Sequence, residues 1–309
     1  MSQQRCRPIR SLSASLLICS AFAAQATENG APSTPMGLYD FGGGFMPPST
    51  PVGTFGARAA YYSTDRLNDG AGRRSPNDFS LDVLSLGLAY IRMTDAQFLG
   101  ARYGFSTVLP FFRMDASLAV RANGMTVFQD QARVFRLADV QVTPVILQWT
   151  PSPNLGINFQ FQIQAPTGDY DASRLISPGL NRWTYSPLLN VSWISQGGVE
   201  LSSSFQFDIN ARNPDTDYRS GVEYRHEFAI GQHLGAWTAG LGGYYYRQIT
   251  DDQRNGQDIG NRARVVALGP ALSFFEPGKM PLWLHVYREF GARNRAEGYN
   301  VALRFARTF

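Results

Sequence analysis

The side chains best suited to catalysis are few. The chain has three histidines, His226, His233 and His285. A histidine works as a general base only with a nucleophile within hydrogen-bond reach and a third group to orient it. His233 falls in a predicted turn, and His226 interrupts a row of apolar residues. His285 alternates with Leu284 and Val286 on a polar side, near Trp283, Tyr287 and Glu289. No Gly-x-Ser-x-Gly elbow accompanies them, so no catalytic residue is assigned and the chain is read as non-enzymatic. The acidic pairs Asp215/Asp217 and Asp251/Asp252 fall in predicted outer loops. They have the chemistry to bind calcium or to bridge lipopolysaccharide through divalent ions, but ordinary solvated loop charge is the favoured account of them. The glycine runs at residues 42–44 and 240–243 lack the Gly-Lys-Ser/Thr of a phosphate loop. Cys6 and Cys19 are the only cysteines, and both lie in the first 26 residues. No cofactor and no metal site is expected.

A second set of charged and polar residues is arranged more regularly. Arg58, Arg102, Glu200, Gln206, Asp208, Glu223, Arg225, Glu227 and Arg304 each occupy the polar phase of a two-residue alternation. In a strand that period places them on one face. If the strands close into a barrel, these residues line its lumen. Both signs of charge occur, and crossed pairs in a narrow barrel would leave a small polar passage or none.

The start of the chain defines the compartment. Arg5, Arg7 and Arg10 precede an apolar stretch over residues 12–22, and Ala24-Gln25-Ala26 is a small-x-small cleavage site, with Ala21-Phe22-Ala23 as the alternative. This is the layout of a cleavable secretory leader, too short for a membrane helix. Three of the 28 basic residues and none of the 24 acidic ones lie before Ala26, so the formal charge falls from +4 to +1 on its removal. The basic balance is therefore largely an export signal and does not point to nucleic acid. Loss of both cysteines with the leader excludes disulfides and thiolate chemistry in the mature chain.

The elements that must carry the lumen residues are strands. Ile157, Phe159, Phe161 and Ile163 alternate with Asn158, Gln160, Gln162 and Gln164. Val199, Leu201, Phe205, Phe207 and Ile209 alternate with Glu200, Ser202, Ser204, Gln206, Asp208 and Asn210. Twelve strands are predicted, over 53–64, 78–92, 97–112, 138–150, 155–166, 182–194, 199–210, 219–230, 236–250, 262–275, 282–291 and 298–309. Short connections (151–154, 195–198, 231–235) alternate with long ones (65–77, 113–137, 167–181, 251–261). Apolar rows end in aromatics such as Trp183, Tyr185 and Trp193. An even strand number, alternating loop lengths and aromatic girdles describe an all-β transmembrane up-and-down barrel in the bacterial outer membrane. Both ends of the barrel are expected in the periplasm and residues 113–137 outside. The last strand carries Tyr299, Val301, Leu303, Phe305 and the terminal Phe309 in its apolar phase. It is read as the closing strand and as the signal to the barrel assembly machinery. The chain thus divides into a leader (1–26), a Pro/Gly-rich segment (27–52) and a barrel (53–309). The middle segment contains Gly42-Gly43-Gly44 and Pro47-Pro48 and cannot be regular. It is either a periplasmic tail or, using Leu38, Tyr39, Phe41, Phe45 and Met46, a lumen plug.

Six stretches carry a family resemblance: 139–149 (DVQVTPVILQW), 165–170 (APTGDY), 213–221 (NPDTDYRSG), 240–252 (GLGGYYYRQITDD), 269–272 (GPAL) and 289–298 (EFGARNRAEG). In this order they resemble outer-membrane proteins named for the meta-cleavage pathway of phenol degradation. The resemblance implies uptake of small hydrophobic or aromatic, amphipathic compounds, and it transfers no functional residue. The expected partners are outer-membrane lipid and lipopolysaccharide, the assembly machinery and a small hydrophobic solute. A structural or surface-interaction barrel with a closed lumen is the alternative, and a lipid-modifying enzyme is a more distant one. The glycines at 240–243 mark either bends or close packing, or a gap in the wall through which a solute leaves sideways.

Overall fold

The computed structural model describes residues 28–30, 32–122 and 124–309, so the expected leader lies outside the described residues. Beyond a short turn of 3-10 helix at Glu28–Gly30, the described residues form strands and their connections. No described helix is long and apolar enough to cross a membrane.

The strands are β1 (Thr54–Thr64), β2 (Asp78–Phe98), β3 (Ala101–Ala122), β4 (Met125–Leu137), β5 (Gln141–Ser152), β6 (Leu155–Gln164), β7 (Thr184–Ile194), β8 (Val199–Asn210), β9 (Glu223–Leu234), β10 (Trp237–Gln248), β11 (Arg264–Phe274), β12 (Leu282–Arg293) and β13 (Tyr299–Thr308). Except that β4 and β5 do not pair with each other, each pairs antiparallel with its chain neighbours, and β13 pairs with β1 to close the ring, with Ala59 opposite Leu303. Closure removes the edge strands that could not be tolerated in lipid. β4 and β5 are two halves of one descending strand. Both pair with β3, β4 along its residues 111–122 and β5 along 102–108. Counted together, they make the barrel twelve-stranded.

Side-chain alternation fixes which face is which. Asn158, Gln160, Gln162 and Gln164 of β6 are buried, whereas Leu201, Phe207 and Ile209 of β8 lie on the outer surface. Trp183 and Tyr185 mark one end of β7 on the outside and Trp193 the other, and Trp237 packs against Phe274 in a tilted pair with 4.9 Å between ring centroids. The result is an apolar belt with aromatics at both rims. His226 is accommodated in this belt because its ring lies flat on Phe205, 4.6 Å between centroids. Phe309 donates its N–H to Gly53, so both ends of the barrel share the rim with the short turns.

Three sequence expectations are corrected. Residues 113–137 are not a loop: β3 runs on to Ala122 and β4 returns beside it. Met114, Ala116, Leu118 and Val120 keep the inward phase there, while the outward phase carries ion pairs, Asp115–Arg133 at 2.6 Å and Asp78–Arg121 at 2.5 Å. Charged outward rows cannot lie in hydrocarbon, so this ribbon projects beyond the belt. Second, β9 spans Glu223–Leu234, four residues later than expected, which puts His233 in a strand and not a turn. Third, of the two readings of the glycines at 240–243, close packing holds and the gap does not. β10 is in continuous register with both neighbours. A methyl group on Gly242 would collide with the Tyr287 hydroxyl, and one on Gly243 with the Ala267 carbonyl. The missing side chains are the space into which Tyr287 and the adjacent backbone pack.

Candidate functional site

The lumen has two chemically different walls. From β6 to β9 it is polar, with Asn158, Gln162, Ser186, Asn190, Glu200, Ser204, Gln206, Asp208, Glu223, Arg225 and Glu227 all buried. Along β2 and β3 the inward phase is mostly apolar. Val83 of β2 lies in register with Tyr62 of β1 on one side and Met114 of β3 on the other, Leu81 of β2 with Thr64 of β1, and Phe112 of β3 with Ser85 of β2. Sequence reasoning missed this wall. Its signal was a run of apolar residues in both phases of β2, the pattern of a strand covered on both faces.

Residues 32–53 cross the lumen and are fastened to the polar wall through their backbone. A chain without regular structure must find partners for its N–H and C=O groups elsewhere, and here they come from the barrel. Glu227 accepts the N–H groups of Gly37, Leu38 and Tyr39 at 2.9, 2.7 and 2.6 Å. Glu200 accepts Gly42 N–H at 2.6 Å, and Glu223 accepts both the N–H and the hydroxyl of Ser33. Asp208 accepts the Thr34 hydroxyl at 2.9 Å. Arginines cover the carbonyls: Arg225 donates to Pro35 at 2.6 Å, Arg58 to Gly37 at 3.0 Å and Arg304 to Leu38 at 2.8 Å. Arg304 also pairs with Asp40 at 2.7 Å, and Arg225 with Glu227 at 3.4 Å. Hydrogen bonds to charged groups are the stronger class, each worth about 1.5–3 kcal/mol.

Close backbone approach completes the seat. Phe41 is 1% exposed, and its ring lies where a side chain on Gly231 would be. Gly44 meets Gly156 in the same way, with Phe45 over the latter. Trp283 donates its indole N–H to the Phe41 carbonyl at 2.9 Å. His285 bonds Asp40 through Nδ1 at 3.3 Å and stacks on Tyr287 at 4.0 Å. His233 bonds Glu200 at 2.8 Å. The histidines are thus occupied with Asp40, Glu200 and, for His226, the outer aromatic row.

The predicted lumen residues therefore fall into two groups. Arg58, Glu200, Gln206, Asp208, Glu223, Arg225, Glu227 and Arg304 converge on the inserted segment, Gln206 through the Thr34 hydroxyl at 3.1 Å. Arg102 lies at the register of Gln148 on β3, apart from that cluster. Tyr299, Leu303, Phe305 and Phe309 present their side chains to the outside, in the belt and its rim, and Val301 shares their phase on β13. Three of the four loop acids are used internally. Asp217 pairs with Arg212 and Asp251 with Arg262, and Asp252 is buried against the Tyr218 hydroxyl and Gly221 N–H. Among the described residues no group of acidic or histidine side chains is arranged to hold a metal ion.

A cavity of about 170 Å³ remains between the inserted segment and the apolar wall, bordered by Met36, Ala60, Tyr62, Val83, Phe112 and Met114. At its far side the descending strand is broken at residues 138–140, where Pro110 has no N–H to offer. Asp139 bridges the break. It is buried and accepts the N–H groups of Gly168 at 2.8 Å and Leu180 at 2.9 Å, which draws residues 165–183 across the rim.

The comparisons agree with this architecture. A family model named for a MetA-pathway of phenol degradation matches residues 64–305. The chain belongs to this family. Among solved structures it is similar to an outer-membrane channel from Pseudomonas putida, with a TM-score of 0.67, 16% identity and coverage of 89% of this chain and 100% of that one. It is also similar to the β-domain of the Bordetella autotransporter BrkA, with a TM-score of 0.51, 11% identity and coverage of 84% and 100%. At these identities the likeness is one of fold, a transmembrane β-barrel. No curated protein matches the chain in sequence at a significant level.

Proposed function

We propose that this family member is an outer-membrane channel for small hydrophobic or aromatic, amphipathic compounds, held narrow by the segment inside its lumen. The observation that carries the reading is the division of the lumen. The inserted segment is bonded to the polar wall and leaves the apolar wall of β2 and β3 facing open space. A barrel that served only as a scaffold has no need of an apolar inner face, since such a face costs about 25 cal/mol per Å² when wetted. An ion-conducting pore has a still stronger reason to avoid one. The similar Pseudomonas putida protein is an outer-membrane channel, which supports the reading, as does the family's name. Outer-membrane lipid and lipopolysaccharide would surround the belt, and the assembly machinery would insert it through β13.

Planar-bilayer recording tests the proposal. The intact mature protein should conduct ions weakly, and removal of residues 27–53 should raise the conductance. Large, steady conductance from the intact protein would replace this reading with a general diffusion pore. Failure of either form to conduct, with no flux of hydrophobic solute into liposomes, would favour the structural alternative.

A further inference from the structure

One cluster of charge on the outer face takes no part in mounting the inserted segment. Arg247 lies near the end of β10, Arg264 opens β11 and Arg293 ends β12. The ladders set them directly opposite one another, Arg247 against Arg264 and Arg264 against Arg293. All three point outward, since their neighbours Gln248, Val265 and Ala292 are buried on the lumen side. Adjacent strands lie about 4.8 Å apart, so three guanidinium groups are rooted within about 10 Å. Like charges directly opposite across a ladder are destabilising. Elsewhere on this rim outward arginines face acids: Arg121 faces Asp78, Arg133 faces Asp115 and Arg212 faces Asp217. Among the described residues no carboxylate pairs with the row of three. Those of the adjoining loops are engaged elsewhere, Asp69 with Arg73 at 2.9 Å, Glu297 with Arg66 at 3.3 Å and Asp251 with Arg262 at 2.6 Å.

The height of the row on the barrel is equally specific. One step nearer the chain ends, Tyr245, Val266 and Phe290 form the next outward row, again in register. That row is the margin of the apolar belt. The arginines therefore stand where hydrocarbon gives way to headgroups, at the rim opposite Gly53 and Phe309. Arg288, one row below Phe290, lies over the Tyr299 ring at 5.7 Å and adds a fourth positive charge to the same margin.

We infer that Arg247, Arg264 and Arg293 form a docking site for a lipid headgroup bearing two phosphates, the chemistry that lipopolysaccharide presents in the outer leaflet. A guanidinium binds phosphate through two parallel N–H bonds, so the row matches anionic oxygens in geometry as well as in charge. A headgroup with one phosphate engages only part of a row of three, whereas two phosphates set apart on a sugar span it. The acyl chains of the same lipid lie along Tyr245, Val266 and Phe290. The inference rests on the reading that lipopolysaccharide surrounds the belt and gives that lipid a fixed position; it needs nothing from the channel reading.

The test uses the mature full-length protein folded into dodecyl maltoside micelles free of lipid, with binding followed by native mass spectrometry. The probes are bisphosphorylated lipid A, dephosphorylated lipid A with the same acyl chains, and inorganic phosphate. The parent should bind the bisphosphorylated form at least about tenfold more tightly than the dephosphorylated one. Replacing all three arginines by Gln should bring the two within about twofold, and Arg264→Gln alone should fall between. Gln at Arg121, Arg133 and Arg212 removes the same charge from paired positions and should leave the preference intact. Retention of the heat-modifiable barrel form controls for folding, and Arg264→Gln decides the matter if the triple variant does not fold. No preference in the parent, a preference that survives loss of the row, or an equal loss in the paired-arginine variant would overturn the inference. Inorganic phosphate that displaces lipid A at equal concentration would overturn the assignment to a lipid. Equal binding of both lipid A forms leaves a lipid-surrounded belt without this site, and no outcome touches the bilayer conductance by which the channel reading is judged.

Discussion

Glu227 offers the sharpest test of how the inserted segment is held. Its carboxylate accepts three consecutive N–H groups, from Gly37, Leu38 and Tyr39, at 2.6–2.9 Å. Glu227→Ala leaves all three donors inside the barrel with no acceptor. At the low end of the cost of a buried unmet donor, about 1 kcal/mol each, the seated state loses about 3 kcal/mol. That is close to two decades in the equilibrium for lifting residues 36–40 off the wall. Arg225 keeps partners in this variant, since it also donates to the Thr34 and Pro35 carbonyls at 3.1 and 2.6 Å. The assay exploits the absence of cysteine beyond residue 19. Met36 is buried, so a Met36→Cys reporter should react with a maleimide only when the segment lifts. In the Glu227→Ala background the labelling rate should rise on the order of a hundredfold, with local opening limiting the reaction. Glu227→Gln, which keeps a neutral acceptor, should fall between the two. A rate within about twofold of the parent, in a barrel that remains heat-modifiable, would show that these bonds do not govern the segment's position.

Two further outcomes follow from the rims. Deleting Phe309 removes its ring contact with Phe55, 5.9 Å between centroids, and its bond to Gly53. Export should proceed while the amount of inserted, heat-modifiable barrel falls, and unchanged insertion would strip β13 of its assembly role. At the opposite rim, burial holds the Asp139 carboxyl above its ordinary value, against the pull of its N–H donors. The folded chain therefore keeps that proton to higher pH than the unfolded chain, and the stability of this corner falls as pH rises between the two values. Hydrogen-exchange protection of residues 165–183 should decline across that interval, and Asp139→Asn should flatten the decline. An equal slope in both proteins would remove Asp139 as the cause.

Much of the barrel was legible because period-two alternation is a direct consequence of strand geometry. β6 and β8 show it cleanly, since their two faces meet lipid and a polar lumen. Legibility failed where one of those contrasts disappears. On β2 and β3 both faces are apolar, so the inner wall beside the cavity gave no alternation to follow. Above the belt, the outward residues of β3 become Arg113 and Asp115, and a strand that continues past the membrane resembles a charged loop. The placement of β9 shifted because Tyr218 and Arg219, which continue the alternation in sequence, pair instead with Gln253 and Arg254 in a loop hairpin. The lumen charges were found by phase alone. Their purpose was not, because the N–H and C=O groups they serve belong to a segment whose sequence shows no pattern.

That purpose changes what the charges mean. Rings of carboxylates and arginines inside a barrel suggest selectivity for ions when they face water. Here Glu200, Glu223, Glu227 and Asp208 accept donors from a single extended segment, and Arg58, Arg225 and Arg304 donate to its carbonyls. Each carboxylate so engaged loses much of its field at any passing ion and gains in return a fixed position for the backbone that occupies the passage. The two roles compete for the same lone pairs. A barrel that conducts ions through this wall must first release the segment, and one that keeps the segment seated can pass only what the opposite wall accepts. The polar half of the lumen is therefore a mount, and under the proposed channel reading solute would be selected in the apolar half, where Leu81, Val83, Phe112 and Met114 line the cavity.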